Sequence, residues 1–336
     1  MLANVASSMP QIARHTGAHA LSAPGVSALR FSDAEEQACA LTGWNQDYLQ
    51  LSAGAFQGDI CQLSGTGIKL FVEQVQQSVF QTGLLPSDVL AVGIPLDASG
   101  SGMFCGKTCG ADDLHVFSGP SGFEFRTSRQ HTMLGIELQL SQGWFNDGAS
   151  RPDQGHSAAA SLEACAMQMT PAAFAELKTY LLTLFQSAQS RPYLLSNPAL
   201  VATVADFLLD RIAQVSREHG GERSGATCSH WGLVQEACAL LQDKPDQAPT
   251  VAQLCLDLGV SRRTLQNGFQ RVLHVSPLAY LKAVRLNRAR RALKQVGSVT
   301  EAATAFGFWH FGHFAQDYQS LFGERPSDTL RRHSSR

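Results

Sequence analysis

The spacing of apolar residues changes from a period of two to a period of 3.6 about halfway along the chain. Between 48 and 140, short runs alternate apolar and polar side chains, as in Ile136–Leu140, and Gly-containing turns such as Asp97–Gly102 separate these runs. Alternation of this kind predicts strands, and many short strands with turns between them are typical of a sandwich or barrel. We therefore expect a β-rich N-terminal region.

Helical spacing begins after a segment at 141–170 that is rich in Gly, Ser, Asp and Pro. Thr170-Pro171 and Asn197-Pro198 each place a capping residue before a proline, which predicts that a helix begins there. The apolar stripes of these helices are Phe174, Leu177, Leu181 and Leu184 in the first and Val201, Val204, Leu208, Ile212 and Val215 in the second. A stripe of this length predicts packing on the β-rich region or against a second chain, and we expect the second helix to support a dimer.

Two copies of a helix-turn-helix pattern follow residue 230. Thr250–Gln253 and Ser298–Glu301 are capping boxes, each of which predicts the start of a helix. Each of these helices stops at a glycine, Gly259 or Gly307, and a second helix follows. Apolar positions recur at an offset of 48 residues before the turn and 49 after it. A repeat that stays in register over about 25 residues is a specific signal of two helix-turn-helix units.

A further helix connects the two units. Ser276-Pro277 predicts its start and Gly297 its end, which gives a rod of roughly 28 Å at ~1.5 Å per residue. Such a rod could set the two recognition helices about one turn of DNA apart on one face of the duplex. The rod carries six basic residues, of which Arg285 and Arg291 are our candidates for contacts with phosphate.

The distribution of charge predicts the same partner. The net charge is −2, but residues 1–229 contain 12 Lys and Arg against 20 Asp and Glu, whereas residues 230–336 contain 14 against 8. An acidic N-terminal part of charge −8 is thus joined to a basic C-terminal part of charge +6. A basic region with two helix-turn-helix units is expected to bind double-stranded promoter DNA.

These motifs resemble a known family. Two helix-turn-helix units joined by Tyr280–Leu293 are similar to the AraC/XylS transcription regulators over about 230–330, and Leu258–Gln266 and Gly307–Tyr318 are most similar to ethanolamine operon regulators. Gly54–Gly58 and Val92–Pro95 add a patchy N-terminal similarity. The resemblance implies a cytoplasmic regulator, typically an activator that acts with RNA polymerase. It also implies that the β-domain binds a small effector, for which ethanolamine or a cobalamin is the suggestion, or mediates a homodimer.

The start of each recognition helix carries the candidate base-reading residues, because that end enters the major groove. These candidates are Arg262, Arg263, Gln266, Asn267 and Gln270 in the first unit and His310, Phe311, His313 and Gln316 in the second. Arginine pairs with guanine, and Gln or Asn with adenine. By their place in the family pattern, Arg263, Gln266 and Asn267 are the strongest candidates. The second unit is unusually aromatic, and the alternative is that it mainly packs and positions.

Two other classes of protein are the alternatives: a metal-dependent cupin-type enzyme fused to a DNA-binding tail, and a DNA-repair protein with a regulator-like tail. A metal-dependent cupin enzyme needs several His and carboxylate ligands at one metal, whereas the predicted strands contain only His115 and His131, sixteen residues apart. A DNA-repair protein with a regulator-like tail needs a reactive cysteine with basic support, and Cys105 and Cys109 have only Lys107 beside them. We therefore expect no enzyme, no catalytic residue, no metal and no resident cofactor.

Together these patterns predict an α+β chain. Its parts are a loose N-terminal tail at 1–30, a β-barrel or cupin-like effector domain at 31–145, a helical pair at 165–219, a linker at 220–229 and an all-α DNA-binding domain at 230–336 with helix-turn-helix units at 250–273 and 298–322. The helical pair is expected to form core or a dimer contact. No run of 18 apolar residues occurs and the tail lacks a continuous apolar segment, so we expect neither a membrane span nor a secretory signal.

Overall fold

The computed structural model describes residues 25–119, 121–140, 163–218, 229–243, 249–295 and 297–334. Its strands are β1 (Val26–Phe31), β2 (Asn45–Gln50), β3 (Gly58–Ser64), β4 (Ile68–Val75), β5 (Val79–Leu84), β6 (Val89–Ser99), β7 (Gly102–Phe104), β8 (Lys107–Cys109), β9 (Asp113–Val116), β10 (Phe123–Arg126), β11 (Arg129–Gln139) and β12 (Cys165–Gln168). A short helix, α1 (Ala34–Ala38), follows β1. Residues 141–162 of the predicted loop at 141–170, together with most of the predicted tail and linker, lie outside the described residues.

Two antiparallel sheets form the N-terminal domain. One has the order β1-β3-β4-β11-β6-β9-β12 and the other β2-β5-β10-β7-β8. Their inner faces meet in an aromatic cluster that includes Phe104 and Phe123, and Trp44 contacts Phe71 of the first sheet and Phe123 of the second. The predicted β-rich domain is confirmed. It begins earlier than expected, because β1 pairs with β3 from Val26 onward instead of lying in a tail.

Strand β11 is buried on both faces, although its sequence alternates apolar and polar residues. Leu134 and Ile136 face one core, and Met133 faces the aromatic cluster on the other side. Glu137, a polar position in the predicted alternation, is buried as well. Its carboxylate accepts hydrogen bonds from Trp44 Nε1 and Lys69 Nζ, both at 2.8 Å. Both faces of this sheet are therefore covered, and the polar position is satisfied inside.

Two long helices cover the outer face of the seven-stranded sheet. They are α2 (Pro171–Ser190) and α3 (Pro198–Glu218), with a 3-10 turn at Pro192–Ser196 between them. The predicted caps are present: Thr170 Oγ1 accepts from Ala173 N at 3.3 Å, and Asn197 Oδ1 accepts from Ala199 N at 3.0 Å. The apolar stripes of both helices are buried against the strands.

This packing corrects two predictions about the helical pair. Residues 165–168 are strand β12 and not the beginning of a helical segment. The stripe of α3 lies in the core of its own chain, where Val204 and Leu208 are fully buried. That stripe is therefore unavailable to a second chain, and the expected dimer contact through it is wrong.

The C-terminal part is entirely helical within the described ranges. Its helices are α4 (Ser229–Asp243), α5 (Val251–Asp257), α6 (Arg262–Val272), α7 (Pro277–Leu293), α8 (Val299–Ala305), α9 (Phe311–Phe322) and α10 (Pro326–Ser334). Thr250 caps α5 and Ser298 caps α8 through their side-chain oxygens. Gly259 and Gly307, at φ of 63° and 74°, make the left-handed turns after these helices. The predicted double helix-turn-helix fold, with α7 as the connecting rod, is confirmed.

The two domains pack closely together. Phe80 and Met103 on the outer face of the five-stranded sheet share one buried cluster with Trp231 of α4 and Tyr280 of α7. At the turn between β7 and β8, a Cβ on Gly106 would lie 2.5 Å from Cγ of Trp231. The molecule therefore stacks helices, one sheet, a second sheet and the C-terminal helices. No helix in the described ranges is long and apolar enough to cross a bilayer.

Candidate nucleic-acid interface

The recognition helix of the first unit, α6, divides into a buried and an exposed face. Ser261 caps it by accepting from Thr264 N at 3.1 Å. Leu265 and Phe269 are completely buried, as expected from the repeat. The five candidate base-reading residues, Arg262, Arg263, Gln266, Asn267 and Gln270, are all exposed. The helix therefore presents a polar face that begins at its N-terminal end.

The recognition helix of the second unit, α9, presents a more aromatic face. Its four candidates, His310, Phe311, His313 and Gln316, are all exposed, whereas Phe314 and Tyr318 pack inside. His310 takes the N-cap position without a side-chain bond to the helix. Trp309, which the candidate set omitted, is 72% exposed just before the helix. Together with Phe311, which is 44% exposed, Trp309 gives this end of α9 an exposed aromatic surface.

Both recognition helices border one cleft. It has a volume of about 890 Å³, and its walls include Arg262 from the first unit and His310 and His313 from the second. Leu256 and Leu278, both well exposed, add apolar surface to the same cleft or its edge. The two units thus open onto the same side of the domain, which is the arrangement required for reading one face of a duplex.

Arg285 of the connecting helix has an internal role. Its Nε donates to the carbonyl oxygen of Phe306 at 2.8 Å and its Nη2 to that of Gly307 at 2.5 Å. The guanidinium also lies 4.2 Å from the ring centroid of Phe308. These contacts satisfy carbonyl groups at the end of α8 and fix the turn of the second unit. The geometry therefore assigns Arg285 to this turn instead of the predicted phosphate contact.

Arg291 is occupied by the N-terminal domain. Its Nη2 donates to Asp47 Oδ1 at 2.6 Å, and its Nε lies 2.6 Å from Glu35 Oε1. Charge attraction to two carboxylates holds the guanidinium on the side of α7 that faces the sheets. This pairing corrects the predicted contact of Arg291 with phosphate, because a guanidinium already paired with carboxylates is not free to bind a phosphate.

A buried ionic cluster lies beside Arg291. Asp33 Oδ2 accepts from Arg290 Nε at 2.6 Å and Asp33 Oδ1 accepts from Lys294 Nζ at 2.8 Å, while Arg290 also pairs with Glu324 at 2.8 Å. The Asp33 and Arg290 side chains are 4% and 8% exposed. Burial raises the pKa of Asp33, but the charges of Arg290 and Lys294 outweigh that effect and hold the pKa well below its usual value.

Sequence reasoning missed this interdomain cluster. The acidic residues lie on and beside α1 and the basic ones on α7, more than 240 positions away along the chain. The opposite net charges of the two parts were the available signal. They were interpreted only as a preference of the C-terminal part for DNA.

Of the residues that would mark the alternative classes, His115, His131 and Cys109 are buried and Cys105 is partly buried. His115 and His131 lie among aromatic rings, and burial lowers their pKa values to about 4 and about 3. Burial raises the pKa values of Cys105 and Cys109 to about 12, which disfavours a reactive thiolate. Across the described residues, no group of three His, Cys, Asp or Glu side chains could hold a metal ion.

Comparison with known proteins places the C-terminal region in context. A helix-turn-helix domain model matches residues 254–332. The chain is 41% identical over 104 residues to a probable thc operon regulatory protein of Rhodococcus erythropolis, a match that covers 30% of this chain and 31% of that protein. It is 38% identical over 96 residues to the transcriptional regulator GbdR of Pseudomonas aeruginosa, covering 28% and 26%. The chain thus matches between a quarter and a third of the length of these relatives.

A solved structure also matches part of the chain. It is titled a probable AraC family transcriptional regulator from Rhodopseudomonas palustris, with 36% identity, a TM-score of 0.29, and coverage of 30% of this chain and 97% of that chain. The relatives named by their sequence similarity are transcription regulators and not enzymes. The expected likeness to ethanolamine operon regulators in particular is not supported, because the relatives found are named for other operons.

Proposed function

We propose that this chain, in which residues 254–332 are a helix-turn-helix domain of the AraC/XylS type, is a sequence-specific DNA-binding transcription regulator. The observation that carries the proposal is that both recognition helices expose all of their candidate base-reading residues and border one cleft through Arg262, His310 and His313. The N-terminal domain docks without burying any of these residues. The net charge of +6 on residues 230–336 supplies attraction to the phosphate backbone.

We assign the reading of bases chiefly to Arg263, Gln266 and Asn267. These side chains are exposed near the start of α6, where they can reach base edges once the helix enters the major groove. In the second unit, Gln316 is the polar candidate, and Phe311 has the chemistry to contact a thymine methyl group. Arg262, Gln270, His310 and His313 flank these positions and are proposed to contact bases or phosphates.

The test is selection of binding sites from random duplex DNA with the full chain. Arg263→Ala, Gln266→Ala and Asn267→Ala should each relax the preference at one base pair by about 1–3 kcal/mol. Arg30→Ala, which removes an exposed cation from β1, is the control and should leave the preference unchanged. Selection of no consensus by the wild type, or unchanged preferences in all three variants, would show that the assignment is wrong.

We further propose that the N-terminal domain binds a small organic effector and that the bound state alters promoter affinity or the recruitment of RNA polymerase. The support is that Asp33, Glu35 and Asp47 of this domain form ion pairs with α7. A ligand that shifts these residues therefore also shifts the rod between the two units. Calorimetry of the full chain against a metabolite panel that includes ethanolamine and adenosylcobalamin, followed by a promoter reporter, tests this. A panel hit that leaves the reporter unchanged would refute the regulatory link.

A further inference from the structure

A second cleft lies between the N-terminal domain and the first helix-turn-helix unit. Its volume is about 430 Å³, which is within the usual range for small-molecule sites. Its N-terminal wall contains Arg126, Ser128 and Arg129 together with further serines. The opposite wall is Leu273–Val275, the turn that joins α6 to α7. The cleft is therefore bordered by both domains, at the point where a recognition helix meets the connecting helix.

Arg126 at this cleft is a buried cation with unused hydrogen-bonding capacity. Its side chain donates from Nη2 to the carbonyl oxygen of Ser101 at 3.1 Å, and the residue is only 6% exposed. Its Nε has no hydrogen-bond partner over the part of the chain that the structure describes. Burial lowers the pKa of Arg126, the neighbouring Cys109 offsets part of that effect, and no carboxylate among the described residues does so. A guanidinium in such a position is costly unless an acceptor of opposite charge joins it.

The nearest acidic residue along the strand does not fill this role. Glu124 lies two positions before Arg126 on β10, and its carboxylate is hydrogen-bonded by Gln235 of α4. Burial raises the pKa of Glu124 to about 7, and no ion pair joins it to Arg126 among the described residues. Arg126 therefore remains without an anionic partner from its own strand.

Two neighbours of Arg126 also favour a bound anion in the cleft. Ser128 is 5% exposed, and its Oγ has no hydrogen-bond partner among the described groups. His274, on the opposite wall, has a left-handed backbone with φ of 57°. Burial lowers the pKa of His274, and the positive charge of Arg126 lowers it further. The two side chains are therefore close enough to interact electrostatically across the cleft. An anion placed between them would receive donors from both domains.

The rim of the cleft determines which anion fits. Arg129 lies at the rim with its Nη2 already donating to Gln77 Oε1 at 2.9 Å and to the carbonyl oxygen of Ala53. Leu51 and Val275, both partly exposed, contribute apolar surface beside the polar groups. A free inorganic ion would leave this surface in contact with water, whereas an organic acid would cover it.

We propose that this interdomain cleft binds a small organic oxyanion, with its charged group against Arg126, Ser128 and His274 and its apolar body against Leu51 and Val275. The proposal deepens the effector role proposed above and rests on it for its regulatory meaning. The bound anion joins the N-terminal domain to the turn between α6 and α7. It therefore stabilises the docked arrangement of the first unit.

The test is calorimetry of the full chain without DNA, in a chloride buffer free of oxyanions at constant ionic strength. The probes are sodium butyrate, inorganic phosphate and n-butanol. Butyrate should bind saturably and n-butanol should not, because only butyrate carries the charge. Arg126→Gln should weaken butyrate binding roughly tenfold or more, since a charge-assisted hydrogen bond is lost. Arg30→Gln, which removes an exposed cation elsewhere on the domain, should bind like the wild type.

A second variant keeps the test decisive if Arg126→Gln does not fold. His274→Gly removes the imidazole donor of an exposed residue of the turn, and glycine adopts the left-handed backbone there without strain. It should also weaken butyrate binding while leaving the fold intact. No saturable butyrate binding by the wild type, or equal binding by the wild type and both cleft variants, would overturn the proposal. Binding of phosphate in preference to butyrate would overturn the organic ligand class.

The outcome is independent of the regulator assignment, because the calorimetry contains no DNA. Butyrate binding that depends on Arg126 supports the site even if site selection yields no consensus. A clear consensus with no anion binding leaves a DNA-binding regulator and removes this cleft as its ligand site.

Discussion

Replacing Asp33 by asparagine isolates the ionic attachment of the N-terminal domain to the connecting helix. Asp33 caps α1 by accepting from Glu35 N at 3.0 Å and Glu36 N at 3.2 Å, and it pairs with Arg290 and Lys294. Asparagine is as good an N-cap as aspartate, so Asp33→Asn keeps the start of α1. The variant removes the negative charge that faces α7, and it replaces the Oδ2 acceptor of Arg290 Nε by an amide NH2 group that cannot accept this hydrogen bond.

The contacts of the two cations set the expected magnitude. Removing one partner of a buried pair typically costs about 3–5 kcal/mol, because a charge is left without compensation. Here Arg290 keeps Glu324 and Lys294 keeps Glu35, each at 2.8 Å. We therefore expect the lower end of that range, about 3 kcal/mol, which is roughly a hundredfold change in the equilibrium constant.

The pH dependence of this loss has a definite sign. The folded-state pKa of Asp33 is depressed below its usual 3.8, so the pair contributes fully above that pH and is lost as the pH falls below it. The difference between the wild type and Asp33→Asn should therefore be constant from about pH 6 to pH 7 and shrink below about pH 4. A difference that grew on acidification would contradict the sign.

Urea unfolding followed by tryptophan fluorescence measures the effect. Trp231 lies at the domain interface and Trp44 inside the N-terminal domain, so loss of docking and loss of the fold both change the signal. A loss of about 3 kcal/mol lowers the midpoint by roughly 1–3 M urea. The matched control is Asp59→Asn, whose partner Arg30 is 57% exposed and whose loss should cost less than about 1 kcal/mol. Equal midpoints for the two variants would refute the reasoning.

Two further predictions concern packing. Gly106→Val should weaken docking by about 1–3 kcal/mol and expose Trp231 to solvent, because the new Cβ collides with the Trp231 ring. The control is Gly100→Val, which has a similar positive φ but open space around it. Fluorescence and melting experiments compare the two variants. Leu208→Asp should prevent folding of the N-terminal domain, because it buries a charge, and the exposed Thr203→Asp should not. A folded Leu208→Asp that sediments as a smaller species would instead restore the dimer role of α3.

Local signals carried most of the helical fold. A capping box fixes a helix start through contacts between residues three apart, and Thr250 and Ser298 make these contacts as predicted. The two turns at Gly259 and Gly307 likewise depend on one backbone conformation each. Such features depend on a few neighbouring residues, so they can be recognised before the tertiary structure is known.

Features decided by distant partners were predicted less well. The stripe on α3 specified a burial face correctly, but periodicity does not identify the surface that buries it. The same ambiguity applied to Arg285 and Arg291, because a cation on a helix carries no local mark of whether its partner is a carbonyl, a carboxylate or a phosphate. The exposed faces of α6 and α9 were predictable, since the repeat fixed which positions face the core.

The arrangement of charges on α7 constrains how control can operate. The acidic groups of the N-terminal domain take up Arg290, Arg291 and Lys294, while the candidate base-reading residues remain exposed. Docking of the N-terminal domain therefore does not cover the recognition surface. Docking instead fixes the rod that sets the spacing and angle between the two units, and two helices on a duplex tolerate little error in either. Under the proposed effector role, a ligand that strengthens or loosens this attachment acts on the geometry of DNA binding, and it leaves the candidate base-reading side chains themselves unchanged.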